Sequence, residues 1–250
     1  KKLRDEFGVF EIEAEYENEG SRDTELMRLK DIASRVDLPI ILKIGGVEAV
    51  TDMYSALTLG TKGIVAPMAE TAFAASKFLD AINTFIAEDN QKDIEFAINI
   101  ETITAYQNID EILALEKLDI LKSITIGRVD FTASMGKDRT FANSDEMLEM
   151  CTDIFRKCKE KELRTAIGGA VSPESKDFLT TLVSEKLIDK YETRKTVYEA
   201  SAIHTIDEGL KAGILFELLW LKSKRRYYHR IKGEDEKRIT MLETRIGENT

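Results

Sequence analysis

The sequence is poor in the residues on which many kinds of chemistry rest. Its two histidines, His204 and His229, lie far apart, and there is no GxSxG elbow. A histidine-rich zinc centre and a Ser-His-Asp triad are therefore not expected. There is no Walker loop. Two cysteines, Cys151 and Cys158, sit seven apart on one predicted helix, a pattern that fits buried thiols in a reducing compartment and not a disulfide framework. Long hydrophobic runs are missing: the longest, ILFELLWL at residues 214–221, contains Glu217 and is too short to span a bilayer. With no signal-peptide pattern at the start, the expectation is a cytoplasmic protein with no membrane partner. Positive charge is also in deficit, with 36 Lys and Arg against 46 Asp and Glu and a net charge of −10. That argues against a nucleic-acid partner. The chain does not begin with Met, so an N-terminal piece is expected to precede it.

What is present begins with GVFEIEAEYENEG at residues 8–20. Glu11, Glu13, Glu15, Glu17 and Glu19 alternate with Phe10, Ile12, Ala14 and Tyr16. Period two is that of a β-strand, so one face is apolar and the other is a row of carboxylates. Either that row faces solvent or it points into a polar enclosure where cations must answer it, because an unanswered buried charge costs several kcal/mol.

Along the chain, short apolar strands alternate with helical patterns, which favours βα units around a parallel sheet. The strands are VFEIEAEYE, PIILKIGG, GIVAPM, FAINIET, SITIGRVDF, RTAIGGAV and a last region at residues 190–201. The helices between them are expected at 23–35, 48–59, 71–86, 105–116 and 144–161, with Pro173 well placed at a further helix start. Seven strands are visible. The expected fold is an α/β, TIM (β/α)8-type barrel spanning residues 1–205, with the missing strand upstream of residue 1. Residues 206–250 read as C-terminal helices, broken near Gly233. Phe216, Leu219, Trp220 and Ile239 there suit packing between subunits, and the basic run KSKRRYYHR suits a solvated or interchain face. A homo-oligomer through these helices is expected.

In such barrels the site lies at the C-terminal ends of the strands. Polar residues expected there are Glu13 and Glu15, Lys43 with Gly45 and Gly46, Asn99 and Glu101, Arg128 to Asp130, and Glu192, Arg194, Lys195 and Glu199. Lys43, Arg128 and Arg194 or Lys195 are the available cations for the glutamates. Glu101 and Asp130 end consecutive strands, and two hard oxygen ligands with open positions suit Mg2+ or Mn2+. The alternative roles are a helix N-cap for Asp130 and a salt bridge for Glu101. The Gly45-Gly46 and Gly168-Gly169 pairs fit the close approach of a ligand and tight βα turns equally.

IVAPMAETAFAASKF, FAINIETITAYQNIDEI and ITIGRVDFTASMG, in that order, resemble three consecutive motifs of the HpcH/HpaI aldolase/citrate lyase family, with the likeness running over roughly residues 8–200. The resemblance implies a (β/α)8 barrel that binds Mg2+ or Mn2+ and cleaves or forms C–C bonds beside a carboxylated carbonyl. It implies Glu101 and Asp130 as metal ligands, the backbone of Arg128, Val129 and Asp130 as the holder of a substrate carboxylate, and Glu13 and Glu15 as the acidic pair of the first strand. Two positions depart from the family: Lys43 stands where an Arg is usual, losing the two-pronged geometry of a guanidinium, and Tyr16 stands where aldolase members carry a His.

The sequence is thus read as a metal-dependent carbon–carbon lyase acting on a small 2-oxo acid or related carboxylate. Lys43 would stabilise an enolate, with Arg128 or Arg194 as runner-up. Glu15 or a metal-bound water would move the proton, and Gly45 with Arg128, Val129 and Asp130 would contact substrate. An acyl-CoA lyase and a non-catalytic ligand-binding protein on a degenerate barrel are the alternatives.

Overall fold

A computed structural model describes residues 1–247 and divides the chain into two compact units, Lys1–Gly213 and Ile214–Thr250. The first unit is built on eight strands: β1 (Val9–Glu15), β2 (Ile40–Lys43), β3 (Gly63–Ala66), β4 (Glu95–Ile100), β5 (Leu121–Gly127), β6 (Arg164–Gly168), β7 (Lys190–Glu192) and β8 (Thr196–Glu199). They close into a barrel in chain order. β1 to β7 run parallel, and β8 is antiparallel to both β7 and β1.

The alternation in the sequence decides which way each side chain points. Ile12 and Ala14, Ile40 and Leu42, Ile64 and Ala66, Ile98 and Ile100, and Ile124 and Ile126 are almost fully buried. They form the layer between the strands and the helices outside. Those helices contribute Leu26 and Leu29 from Asp23–Ser34, Phe78 and Ile82 from Ala72–Phe85, and Ile154 and Phe155 from Asp145–Glu160. Two of the long helices start on a short polar cap. Thr71 accepts the amide of Ala74 at 3.1 Å and Ser144 that of Met147 at 3.2 Å, satisfying donors that the first turn leaves without partners.

Four expectations change. No upstream strand is needed to close the barrel, because the region read as one strand at 190–201 is a hairpin that supplies both β7 and β8. Its reversal at Thr193 is held by the Thr193 amide donating to the Thr196 carbonyl at 2.9 Å and by the two threonine hydroxyls at 2.7 Å. The turn contains none of the Gly, Pro or Asn residues that normally announce one. The fifth strand stops at Gly127, and Arg128–Ser134 is a helix, so Arg128, Val129 and Asp130 lie on a helical first turn. The helix expected at 105–116 is two short ones, Ile103–Gln107 and Ile109–Leu113. The C-terminal helix runs unbroken from Ile206 to Ile246 through Gly233.

The closing hairpin is pinned by aromatics. Tyr191 and Tyr198 are cross-strand partners whose rings stack with centroids 5.0 Å apart and planes within 2°, the geometry in which paired aromatic residues add to burial. The Tyr198 hydroxyl donates to the Gly209 carbonyl at 2.8 Å, and a Cβ at residue 213 would lie 2.3 Å from that hydroxyl. Only glycine fits at 213.

In the second unit, Ile214, Leu218, Leu221, Ile239, Leu242 and Ile246 are exposed while Trp220 is buried. Among the described residues, no helix is long and apolar enough to cross a membrane.

If the tyrosine stack holds the antiparallel closure, Tyr198→Ala should destabilise the fold by roughly 3 kcal/mol or more, as for other buried aromatic truncations. Tyr198→Phe should cost about 1 kcal/mol, the worth of one hydrogen bond. Urea unfolding measures both, and an alanine variant within about 0.5 kcal/mol of wild type would mean that the hairpin is held otherwise.

Candidate active site

The glutamate row of β1 points inward. Lys190 on β7 lies 2.9 Å from a carboxylate oxygen of Glu95 on β4 and 3.6 Å from Glu11 on β1. β4 and β7 are not neighbours in the sheet, so this contact can only cross the barrel interior. Arg164 reaches Glu95 as well, at 2.9 Å. Glu95 sits below its ordinary pKa: burial works to raise it, but the Lys190 charge and hydrogen bond more than offset that. Glu11 is raised, chiefly by burial, which the Lys190 ammonium 3.6 Å away opposes without offsetting it. Most barrels fill this space with layers of branched aliphatic side chains; here ion pairs occupy it.

At the C-terminal ends of the strands, Lys43 is the central cation. Its ammonium lies 3.1 Å from Glu15 and 3.0 Å from Glu17. Burial works to lower its pKa, but Glu15, Glu13 and Glu101 outweigh it and hold Lys43 well above the ordinary lysine range. Its neighbours thus favour the protonated, positively charged form. Glu13 faces the same space and is pushed well above the usual carboxylate range by burial and by the charge of Glu192. Glu192, at the end of β7, is raised to about 7, with burial the largest cause and Lys190 and Lys43 opposing it. Gly168 gives it room, because a Cβ there would lie 2.9 Å from its carboxylate.

Glu101 is 2% exposed at the end of β4. Its carboxylate accepts the Met68 amide at 2.9 Å and the Asn99 side-chain amide at 3.2 Å. Met68 has φ 53, in the left-handed region that non-glycine residues rarely occupy, and the bond to Glu101 comes from this strained residue. A Cβ at residue 127 would lie 2.5 Å from the same carboxylate, so Gly127 is there to admit Glu101. Burial raises the Glu101 pKa, and the charge of Asp130 adds to it. Asp130 itself is exposed, in the first turn of Arg128–Ser134.

Other expected site residues are placed elsewhere. The Arg128 side chain has no exposure and is fully engaged. It donates to the carbonyls of Gly168 at 3.3 Å and Ala142 at 2.9 Å and to the Asn143 side chain at 2.8 Å, and its guanidinium stacks 4.6 Å from the Phe178 ring. It is a strut behind β5 and β6 and offers no charge to a ligand. Arg194 is exposed on the β7–β8 turn, whereas its neighbour Lys195 is buried and ion-paired with Glu19. The Gly45 amide is taken by Asp52 at 2.7 Å, so it is not available to substrate. Gly169, with φ 69, packs against the backbone nitrogens of Arg128 and Val129, where a Cβ would come within 2.7 Å; the pair Gly168-Gly169 makes a tight turn. The Tyr16 hydroxyl bonds Asp23, and burial with that bond pushes its pKa up to about 12.

Glu192 is the residue whose importance the sequence understates. It sits in a list of polar residues on the last strand region, and only the hairpin, by ending β7 at 192, brings it opposite Glu13. The result is a group of carboxylates near the Lys43 ammonium, with Glu13, Glu15 and Glu101 buried and Glu192 half-buried. Carboxylate oxygens are the ligands that a hard divalent cation takes. Among the described residues, no three His, Cys, Asp or Glu side chains are gathered as a ready-made metal cage. An ion held by Glu101 and Asp130 would therefore complete its shell with water and substrate oxygens, as Mg2+ commonly does.

An eight-stranded α/β barrel with a carboxylate-lined, lysine-bearing mouth defines the class. The family model for HpcH/HpaI aldolase/citrate lyase matches residues 35–178, and the chain belongs to that family. Lys43, Glu101 and Asp130 all fall inside the matched segment. No curated protein matches the sequence. Among solved structures, the HpcH/HpaI aldolase from Desulfitobacterium hafniense DCB-2 is 14% identical, with 72% of this chain and 75% of that chain covered and a TM-score of 0.59. The citrate synthase SbnG is 15% identical, with 84% of each chain covered and a TM-score of 0.60. An HpcH/HpaI aldolase/citrate lyase family protein from Burkholderia cenocepacia J2315 is 13% identical, with coverage of 82% and 84% and a TM-score of 0.57. At such identities the likeness establishes the barrel fold.

The raised carboxyls give stability a defined pH slope. A group whose folded pKa stands above its unfolded value of 4.5 holds its proton more tightly in the folded state. Its contribution is fully present below 4.5 and is lost as pH rises towards about 7. Glu192→Gln should therefore raise Tm by roughly 3 °C or more at pH 8 and change it little near pH 5. Calorimetric scans at the two pH values check this; an equal shift at both would place the Glu192 pKa in the ordinary range.

Proposed function

We propose that the protein is a metal-dependent carbon–carbon lyase of the aldolase type, acting on a small 2-oxo acid or related carboxylate through a stabilised enolate. The observation that carries this reading is the ammonium of Lys43, held protonated among carboxylates at the mouth of a barrel of this family. Such a fixed charge, pre-aimed in a water-poor site, is worth most where negative charge develops in a transition state. Lys43 would lie beside the developing enolate oxygen, oriented by Glu15 and Glu17. Glu101 and Asp130 would hold Mg2+ or Mn2+, which when bound supplies Lewis-acid polarisation of the carbonyl and a template for the substrate.

The Glu13 and Glu192 pair is the natural proton carrier, because a carboxyl raised to about 7 is poised between acid and base at neutral pH. In the cleavage direction the ionised pair takes the proton of a hydroxyl on the carbon beyond the bond that breaks. That carbon leaves as a carbonyl, the bonding electrons remain as the enolate, and the pair returns the proton to the enolate carbon. Glu15, by contrast, is engaged in orienting Lys43. This assignment moves the proton role from Glu15 to Glu13 and Glu192.

A second reading, a ligand-binding barrel without catalysis, draws on the Arg128 side chain and the Gly45 amide, both of which are already occupied. Calorimetric titration with Mg2+ and Mn2+ separates the two. Binding to wild type that is weakened tenfold or more in Glu101→Gln and Asp130→Asn, together with EDTA-sensitive exchange of the methyl protons of pyruvate, is expected for the lyase. Lys43→Met should lower that exchange by about a hundredfold while metal affinity is retained, in line with the loss of one transition-state charge contact. Wild-type metal affinity in either carboxylate variant, or borohydride trapping of pyruvate on Lys43, would overturn the proposal.

A further inference from the structure

The helix that forms the second unit carries a pattern that the barrel chemistry does not use. Residues 214, 218, 221, 225, 228, 232, 235, 239, 242 and 246 follow one another at alternating spacings of four and three. That is the 3.5-residue repeat of a coiled-coil seam, kept over the whole unit. The seam reads Ile, Leu, Leu, Arg, Tyr, Lys, Asp, Ile, Leu, Ile. Its apolar members are at the two ends, and all six of Ile214, Leu218, Leu221, Ile239, Leu242 and Ile246 are between 43% and 69% exposed. A helix gains most of its stability in water from packing an apolar face, not from intrinsic propensity. A seam this long, left bare at both ends, needs a partner.

We infer that the partner is a second copy of this chain, bound antiparallel through residues 214–246 about a two-fold axis at residue 230. The composition of the seam picks out this arrangement. With the axis at 230, Ile214 of one copy meets Ile246 of the other, Leu218 meets Leu242, and Leu221 meets Ile239. The charged middle matches too: Arg225 meets Asp235, and Tyr228 meets Lys232. Every apolar layer is apolar on both sides, and the acidic residue falls opposite a basic one. Beside the seam, Lys222 falls opposite Glu236 and Glu217 opposite Arg245; Lys224 against Arg238 is the one like-charge pair among these flanks.

A parallel, in-register pair would instead set Arg225, Lys232 and Asp235 each against its own copy. Like charges at seam positions disfavour an arrangement and are a usual means of fixing register. In the antiparallel pair the run KSKRRYYHR at residues 222–230 lies along residues 230–238, where Asp235 and Glu236 answer Arg225 and Lys222 while Lys232, Lys237 and Arg238 keep the facing segment net basic. The two-fold, isologous contact is also the commonest way for a soluble chain to assemble.

Cysteine cross-linking of the full chain tests orientation and register together, since Cys151 and Cys158 are buried and do not interfere. Within one helix residues 221 and 239 are about 27 Å apart, so they cannot bond in cis. The double variant Leu221→Cys/Ile239→Cys should give a covalent dimer on mild oxidation, and neither single variant should. A dimer from either single variant would show a parallel pair, and no dimer from the double variant would remove the contact; each result overturns the inference. A nitroxide placed on a Thr244→Cys variant gives a second readout. The two labels should lie about 42 Å apart along the antiparallel pair. A separation under about 20 Å, or a monomer mass by light scattering with no dipolar signal, would also overturn it.

Discussion

The balance of carboxylates and ammoniums inside the barrel is the constraint on which the rest of the structure depends. Glu11, Glu13 and Glu15 project from β1 into a space that would otherwise be filled with aliphatic side chains. Charges cannot be left unanswered there, and other strands answer them: Lys190 on β7 reaches Glu95 and Glu11, and Lys43 on the adjacent β2 reaches Glu15 and Glu17. Glycines at 127 and 168 are then required, because the carboxylates of Glu101 and Glu192 occupy the places where their Cβ atoms would be. The match is incomplete at the mouth, where carboxylates exceed cations. Burial, with neighbouring carboxylates adding to it, raises the affinity of Glu13, Glu101 and Glu192 for protons.

Closure of the barrel serves this balance. A parallel strand needs a crossover of a dozen residues or more, whereas an antiparallel one needs only a tight turn. The β7–β8 hairpin closes the sheet with the turn at Thr193 and the stacked tyrosines, and in doing so it delivers Lys190 and Glu192 inward and buries Lys195 against Glu19. The same segment therefore completes the fold and supplies part of the interior charge. Arg128 shows the converse: a residue whose type suggests chemistry is buried and donates to β6 and the 139–143 segment.

The strand alternation, the amphipathic helices and the family motifs around Pro67, Glu101 and Asp130 were all legible in the residues, because period and local spacing are properties of the chain itself. So was the cluster of Lys43 with Glu13, Glu15 and Glu101, since strand ends in a barrel converge. Less legible was anything that depended on where a strand stops. Arg128 to Asp130 read as strand because Ile124, Ile126, Val129 and Phe131 carry an apolar pattern across SITIGRVDF, yet Gly127 ends the pairing and the next residues turn helical. The 190–201 segment read as one strand because its turn, Thr193 to Lys195, has no breaker residue.

What the sequence by itself determined was the class of barrel, the inward row of carboxylates and the seam of the last helix, since each is a periodic pattern that one chain carries locally. What only the tertiary structure decided was partnership. Lys190 lies 95 positions from Glu95, and Glu192 comes to face Glu13 only after an antiparallel return that no local signal announces. Contacts between distant residues are set by how the strands close on one another, and closure is a property of the whole sheet.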